Sequence, residues 1–151
     1  MMFRNHLVVT TAVAIASVKY INFDMPMWAI IGCVFLGSLL PDLDHPGSTI
    51  GRRVLFISLP LSGLFGHRQI THSIWPFVGV LCLFNINMPE GWLIVALIIG
   101  YFSHLLGDIL SDSGIPLFWP LPSRVGIKLC TTGGFLEYII AYGLLVVSII
   151  I

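Results

Sequence analysis

Long apolar runs, separated by short polar or turn-rich stretches, make up most of this 151-residue chain. Five runs are apolar enough to cross a membrane as helices, or nearly so, namely residues 7–21, 26–40, 74–88, 91–106 and 134–151. Some of them fall short of the roughly 20 residues that a straight spanning helix needs. The pattern predicts an all-α, polytopic membrane helix bundle with about five spanning helices.

A sixth apolar stretch, residues 54–66, is too short to span and contains Pro60, Gly63 and Gly66. Proline and glycine interrupt helices, so we predict a short broken, re-entrant or interfacial segment here. Residues 109–133 combine three prolines with Phe118 and Trp119. This composition is typical of a segment at the level of the lipid headgroups.

Composition strengthens the membrane interpretation. The chain is 57% hydrophobic and 9% charged, with a mean hydropathy of +0.99, whereas soluble domains are about 25% charged. We predict one integral membrane domain over residues 1–151, with the first apolar run retained because no cleavage site follows it. The formal net charge is zero, which argues against a nucleic-acid partner. Three isolated cysteines are interpreted as buried apolar thiols.

The positive charges suggest how the chain crosses the membrane. With the N-terminus in the cytoplasm, and with residues 54–66 not crossing, nearly every cation falls on the cytoplasmic side. Lys19 alone lies opposite, and the cytoplasmic set is Arg4, Arg52, Arg53, Arg68, Arg124 and Lys128. The positive-inside rule favours this bias. We therefore predict a cytoplasmic N-terminus and an outer C-terminus.

Ionisable side chains interrupt the apolar pattern in three phrases, at residues 41–45, 67–72 and 104–108. The predicted topology brings all three phrases to the cytoplasmic face. Such groups are costly at membrane depth and usually mark a functional site. Carboxylate oxygen and imidazole nitrogen are also ligands that divalent metals prefer. The clearest candidate ligands are Asp42, Asp44, His72, His104 and Asp108.

Spacing within two phrases supports a metal. His104 and Asp108 are four residues apart, which places them on one face of a helix. The alternative is a His–Asp hydrogen bond that only satisfies two buried groups. Asp42 and Asp44 are two residues apart, and their mutual repulsion would be relieved by a cation. The alternative there is a solvated helix C-terminus.

Five further residues extend the candidate site. His6 lies one turn into the first helix, on the predicted metal side, and is a further ligand candidate. His67 is a candidate general acid or an interfacial residue, and His45 is a ligand or a loop residue. Arg68 precedes a helix N-terminus and suits an anion. Glu137 suits the start of the last helix electrostatically, with a role at the metal as the alternative.

Four phrases together resemble a known bacterial family. They are residues 40–45 (LPDLDH), 67–73 (HRQITHS), 100–108 (GYFSHLLGD) and 114–120 (GIPLFWP). In this order they look like the signatures of the LexA-regulated, inner-membrane, metal-dependent hydrolase family. The resemblance covers about residues 6–137 and implies a multi-pass inner-membrane hydrolase without naming a substrate. The His104-x-x-x-Asp108 phrase is also similar to one in zinc-dependent phospholipase C enzymes.

The preferred hypothesis is a metal-dependent hydrolase that cleaves an ester or phosphoester of a lipid-like, amphiphilic substrate at the cytoplasmic face. One or two ions, Zn²⁺ or Mn²⁺, would activate water. Whichever of Asp42 and Asp44 stays off the metal would act as the base, with Arg68 and His67 as further catalytic candidates. The ions would be held by His6, Asp42, Asp44, His72, His104 and Asp108.

Two alternatives come from other classes of protein. A divalent-metal transporter or sensor would use similar ligands, but transporters usually show internal repeats and a midplane site, and neither is visible here. A structural membrane protein would use the polar groups only to join helices. That explains one His–Asp pair better than three converging phrases.

Overall fold

The computed structural model describes residues 1–66, 68–84 and 91–151. The described residues form six α-helices and no β-strand, which confirms the predicted all-α class. The helices are α1 (Phe3–Tyr20), α2 (Met27–Leu39), α3 (Leu55–Phe65), α4 (Trp75–Leu83), α5 (Gly91–Leu110) and α6 (Phe135–Ile150). Short 3₁₀ turns cover Pro41–Asp44, Gly51–Arg53 and Ile70–His72. His67 and the end of the predicted 74–88 run lie outside the described residues.

By length and composition, two described helical stretches can cross a membrane, which is fewer than the five predicted. They are Met27–Asp44, where α2 continues into its 3₁₀ turn, and Gly91–Leu110, which is α5. Helix α1 is long enough but carries polar residues at both ends, including Arg4 and Lys19. Helix α6 has 16 residues, and the described part of α4 has nine.

The short apolar stretch forms a continuous helix, which excludes the broken alternative and leaves the re-entrant or interfacial one as a prediction. Helix α3 contains Pro60 and has 11 residues, and at about 1.5 Å per residue it covers roughly half of a 30 Å hydrocarbon core. The chain before it and the chain after it meet again, because Asp44 accepts hydrogen bonds from Arg68 and Thr71. The segment before α3 and the segment after it are therefore in direct contact.

Helices α2 and α5 pack in close backbone contact at two glycines. A Cβ atom at Gly37 would overlap the carbonyl of Leu97, and a Cβ atom at Gly100 would overlap the carbonyl of Val34. Small residues are what allow helices to approach this closely in membranes. The contact fixes the position of α5, which carries two candidate ligands, against the end of α2.

Glu137 joins the start of α1 to the start of α6 by hydrogen bonds. Its buried carboxylate accepts hydrogen bonds from the backbone N–H of Met2 (2.8 Å), the side-chain amide of Asn5 and the backbone N–H of Gly133 (2.7 Å). These donors satisfy a carboxylate that burial alone would penalise. Glu137 thus sets the position of the first turn of α1, which contains His6.

Candidate metal centre

His104 lies at the middle of the polar cluster, on the buried face of α5. Its Nδ1 atom is 2.7 Å from the backbone oxygen of Ser38. A carbonyl oxygen only accepts, so Nδ1 carries the proton and the Nε2 lone pair stays available. Nε2 lies 3.7 Å from Asp108 Oδ2 and 3.9 Å from Asp42 Oδ1. The lone pair therefore faces two carboxylates.

Two more histidines approach Asp108 from other elements. His72, on the 3₁₀ turn before α4, places Nε2 3.5 Å from Asp108 Oδ2. His6, in α1, places Nε2 3.2 Å from Asp108 Oδ1. The His6 ring also stacks on the His104 ring, with centroids 3.9 Å apart and planes 3° apart. Gly107 leaves room for this, since a Cβ atom there would lie 2.9 Å from His6 Nδ1.

The ligand atoms fall into two groups that share His104. One group is His6, His104 and Asp108, the other is Asp42, His72 and His104, and the atoms within each group lie within 4.8 Å of one another. Ligands about 2.0–2.2 Å from a tetrahedral Zn²⁺ are about 3.3–3.6 Å apart. The separations of 3.5–3.9 Å between the His72, His104, Asp42 and Asp108 atoms approach that spacing.

Several buried polar atoms of the cluster make no hydrogen bond to the described residues. They are His104 Nε2, Asp108 Oδ2 and both ring nitrogens of His6. Buried polar atoms are almost always satisfied, by protein, water or an ion. A divalent cation would supply the missing interaction to His104 Nε2, Asp108 Oδ2 and one of the two His6 nitrogens.

Positive groups also lie against Asp108. The amino group of Met1 is 2.6 Å from Asp108 Oδ1, and Nη2 of Arg68 is 3.8 Å from the same oxygen. The Arg68 side chain is 24% exposed, and its Nη1 atom donates to Ser113 Oγ at 3.4 Å. Arg68 therefore connects the buried cluster to the protein surface.

Asp44, which the sequence predicts as a ligand, is not a member of either ligand group found among the described residues. It is 1% exposed, and its Oδ2 atom accepts hydrogen bonds from the Arg68 backbone N–H at 2.8 Å and from the Thr71 hydroxyl. Residues 41–44 form a 3₁₀ turn, in which side chains two apart point in different directions. Asp42 thus faces His104, while Asp44 holds the segment that carries Arg68 and His72.

Two other candidates, His45 and His67, are not among the residues of the two ligand groups. His45 is half-buried and outside both ligand groups, and His67 lies outside the described residues. Cys33, Cys82 and Cys130 are free thiols, and burial raises the pKa of Cys130. A raised pKa favours the neutral thiol over the thiolate that ligates metals. Cys130 is buried as predicted, whereas Cys33 is half-buried and Cys82 is exposed.

Sequence reasoning missed three contributors to the site. The Ser38 carbonyl is a backbone group, which no residue pattern reveals. Ser111 and Ser113 follow α5 directly, and their polar character after a long apolar helix was the available signal. The Ser111 hydroxyl donates to the Asp108 carbonyl at 2.8 Å and lies 3.1 Å from Ser113 Oγ.

The sequence profile of the YdjM inner membrane protein family matches residues 1–150. The chain belongs to this family. It is 40% identical over 129 residues to inner membrane protein YdjM of Escherichia coli K12, a match that covers 81% of this chain and 66% of the relative. Uncharacterized protein YvsG of Bacillus subtilis is 34% identical over 146 residues, covering 96% of this chain and 90% of the relative. No solved structure matches.

Membership in the YdjM family confirms that the chain belongs to an inner-membrane protein family, whereas the LexA-regulated and hydrolase parts of the prediction stay predictions. The matched region spans just under two-thirds of the length of the E. coli relative. The name of that relative describes a location, so the activity has to be argued from the site.

Proposed function

We propose that this YdjM-family chain is a metal-dependent hydrolase of the inner membrane. In this proposal it cleaves an ester or phosphoester bond of an amphiphilic substrate at the cytoplasmic face. The observation that carries the proposal is the convergence of His104 Nε2 with His72 Nε2 on Asp108 Oδ2, at 3.7 and 3.5 Å, with Asp42 beside them. Imidazole and carboxylate ligands around an open position are typical of hydrolytic metal sites.

His72, His104 and Asp108 would hold the ion, and their donor atoms suit Zn²⁺ or Mn²⁺, which leaves Asp42 off the metal. Bound there, the ion would supply Lewis acidity that makes water nucleophilic near neutral pH and polarises an ester oxygen. His104 offers one nitrogen because Nδ1 is bonded to Ser38. A second ion would therefore depend on His6 and on the other oxygen of Asp108.

Asp42 and Asp44 have different roles in the proposed reaction. Asp42 is 15% exposed, against 1% for Asp108, so it is the carboxylate that solvent reaches. We propose that Asp42 accepts a proton from the attacking water. The water oxygen then bonds to the acyl carbon or to phosphorus as the ester bond breaks. Asp42 would then give that proton to the leaving alkoxide, which departs as the alcohol. Asp44 positions Arg68 and His72 rather than acting as the base.

The membrane topology proposed with this function has five crossings, a cytoplasmic N-terminus and α3 as a re-entrant or interfacial helix. Support comes from the Asp44 contacts, which join the two flanks of α3, and from the distribution of arginines. A green fluorescent protein fused to the N-terminus should fluoresce, and alkaline phosphatase fused to the C-terminus should be active. The reverse pattern would contradict this topology.

The decisive test compares Asp108→Asn with Asp112→Asn in the purified, detergent-solubilised protein. Both changes remove one negative charge, but Asp108 is buried in the cluster, whereas Asp112 is exposed and contacts Thr132. Metal content would be measured by mass spectrometry. Hydrolysis would be followed on p-nitrophenyl phosphate, p-nitrophenyl butyrate and bacterial phospholipid vesicles. Asp108→Asn should lower both the rate and the metal affinity by at least about a hundredfold.

Asp112→Asn should match the wild type in both measurements. A wild-type protein that binds no metal, or an Asp108→Asn variant with normal rate and metal content, would contradict the proposal. Tight metal binding without hydrolysis of any of the three substrates would favour a transporter or sensor instead. A metal-free protein that unfolds when Asp108 is replaced would favour the structural role.

A further inference from the structure

Two arginines converge on Ser113, just beyond the end of α5. Arg68 donates from Nη1 to the Ser113 hydroxyl at 3.4 Å, and Arg124 donates from Nη1 to the Ser113 carbonyl at 3.4 Å. The Ser113 hydroxyl is also 3.1 Å from that of Ser111. Residues more than 50 positions apart thus place two guanidinium groups at one serine.

The loop after α5 holds Arg124 in this position. Ile115 and Val125 exchange two backbone hydrogen bonds, of 2.9 and 2.8 Å, which places Arg124 opposite the stretch that follows Ser113. Gly114 has φ = +59°, and a Cβ atom there would lie 2.8 Å from the Val125 oxygen. The close approach of the segment at Gly114 to the segment at Val125 therefore depends on glycine at position 114.

The guanidinium groups have more donors than the nearby residues can accept. Each has five N–H donors, yet Arg68 makes one side-chain hydrogen bond to the described residues, and its buried Nε atom makes none. The Arg68 guanidinium lies 3.8 Å from Asp108, which the Met1 amino group and His6 also contact. Asp112 accepts a hydrogen bond from Thr132. Arg68 therefore keeps N–H donors for which the described residues provide no acceptor.

We propose that Arg68, Arg124 and Ser113 bind the phosphate group of an amphiphilic phosphoester. This inference rests on the proposed function and narrows its substrate from esters in general to phosphate-bearing ones. Paired guanidinium groups match the geometry and the charge of a phosphate. A neutral carboxylic ester would not offset the electrostatic repulsion between two neighbouring arginines. Asp108 links Arg68 to the metal cluster, so the bound phosphate lies beside the hydrolytic residues.

The surroundings fit a ligand with a hydrocarbon part. Trp75 and Phe118 are half-exposed. Tryptophan favours the headgroup region, and Trp75 donates its indole N–H to the Trp119 carbonyl. An apolar cavity of about 460 Å³ extends along α5 from Ile98 to Ile109 and includes Leu117. Its lining includes Ile109 in the last turn of α5, four residues before Ser113.

The inference is tested by calorimetric binding to the full-length protein in nonionic detergent with EDTA, where no metal-dependent hydrolysis occurs. The probes are dihexanoyl phosphatidate, dihexanoylglycerol and inorganic phosphate. Arg68→Gln should weaken phosphatidate binding about 10- to 100-fold. Arg124→Gln, at an exposed residue, should weaken it about 3- to 10-fold. Arg53→Gln removes the same charge at another exposed arginine and should change binding less than about twofold.

Dihexanoylglycerol bound as tightly as phosphatidate would overturn the inference, as would arginine variants indistinguishable from Arg53→Gln. Inorganic phosphate competing at the same concentration as phosphatidate would show that free phosphate is the ligand and would overturn its amphiphilic part. Different results would contradict the phosphate-binding inference and the proposed hydrolase function. Metal-dependent hydrolysis of a phosphate-free ester, unaffected by Arg68→Gln, would overturn only this inference. Arginine-dependent phosphatidate binding by a protein that holds no metal would overturn only the hydrolase.

Discussion

His104→Gln is expected to remove about nine-tenths or more of the metal that the wild-type protein retains, which would be the largest effect of any single ligand change. The reason is that both ligand groups share His104, and its Nε2 atom is oriented by the bond from Nδ1 to Ser38. Glutamine keeps the polarity and much of the size but has no imidazole nitrogen. Metal content after gel filtration in detergent, measured by mass spectrometry, checks this.

The matched control is His45→Gln, the same substitution at a half-buried histidine outside both ligand groups. It should retain wild-type metal content. If His104→Gln retained as much metal as His45→Gln, the shared role of His104 would be refuted. Circular dichroism of both variants would show whether the helices remain folded, so that lost metal is not mistaken for lost structure.

Gly37→Ala is expected to lower the free energy of unfolding by about 1–3 kcal/mol, because the added methyl group overpacks a close helix contact. Its Cβ atom would overlap the Leu97 carbonyl of α5, a backbone group that cannot rotate away. Separating α2 from α5 would also move Ser38 from His104, so metal affinity should fall with stability. Thermal unfolding in detergent, with and without added Zn²⁺, measures both effects.

Gly32→Ala is the control within the same helix. No atom lies within 4 Å of a Cβ at Gly32, and replacing a helical glycine by alanine adds up to about 1 kcal/mol of stability. The two variants should therefore shift the unfolding temperature in opposite directions. Equal shifts would mean that the close contact of α2 and α5 does not limit stability.

The helical class and the pairing of His104 with Asp108 could be predicted because both depend on local patterns. Apolar runs predict helices directly, and a four-residue spacing places His104 and Asp108 on one helix face wherever that helix lies. The number of membrane crossings was less predictable. Polar residues at the ends of α1, such as Arg4, lower its hydropathy without preventing the helix, and Pro60 was accommodated within α3.

The sequence by itself determined an apolar helical protein with a set of nitrogen and oxygen ligands in three phrases. Only the tertiary structure decided which members of that set converge. It turned Asp42 towards His104 and Asp44 towards Arg68, and it stacked His6 of α1 on His104. It also brought Arg124 to Ser113 beside Arg68. The reason is physical: residue type specifies what a side chain can bind, whereas the packing of distant helices specifies which side chains share one ligand.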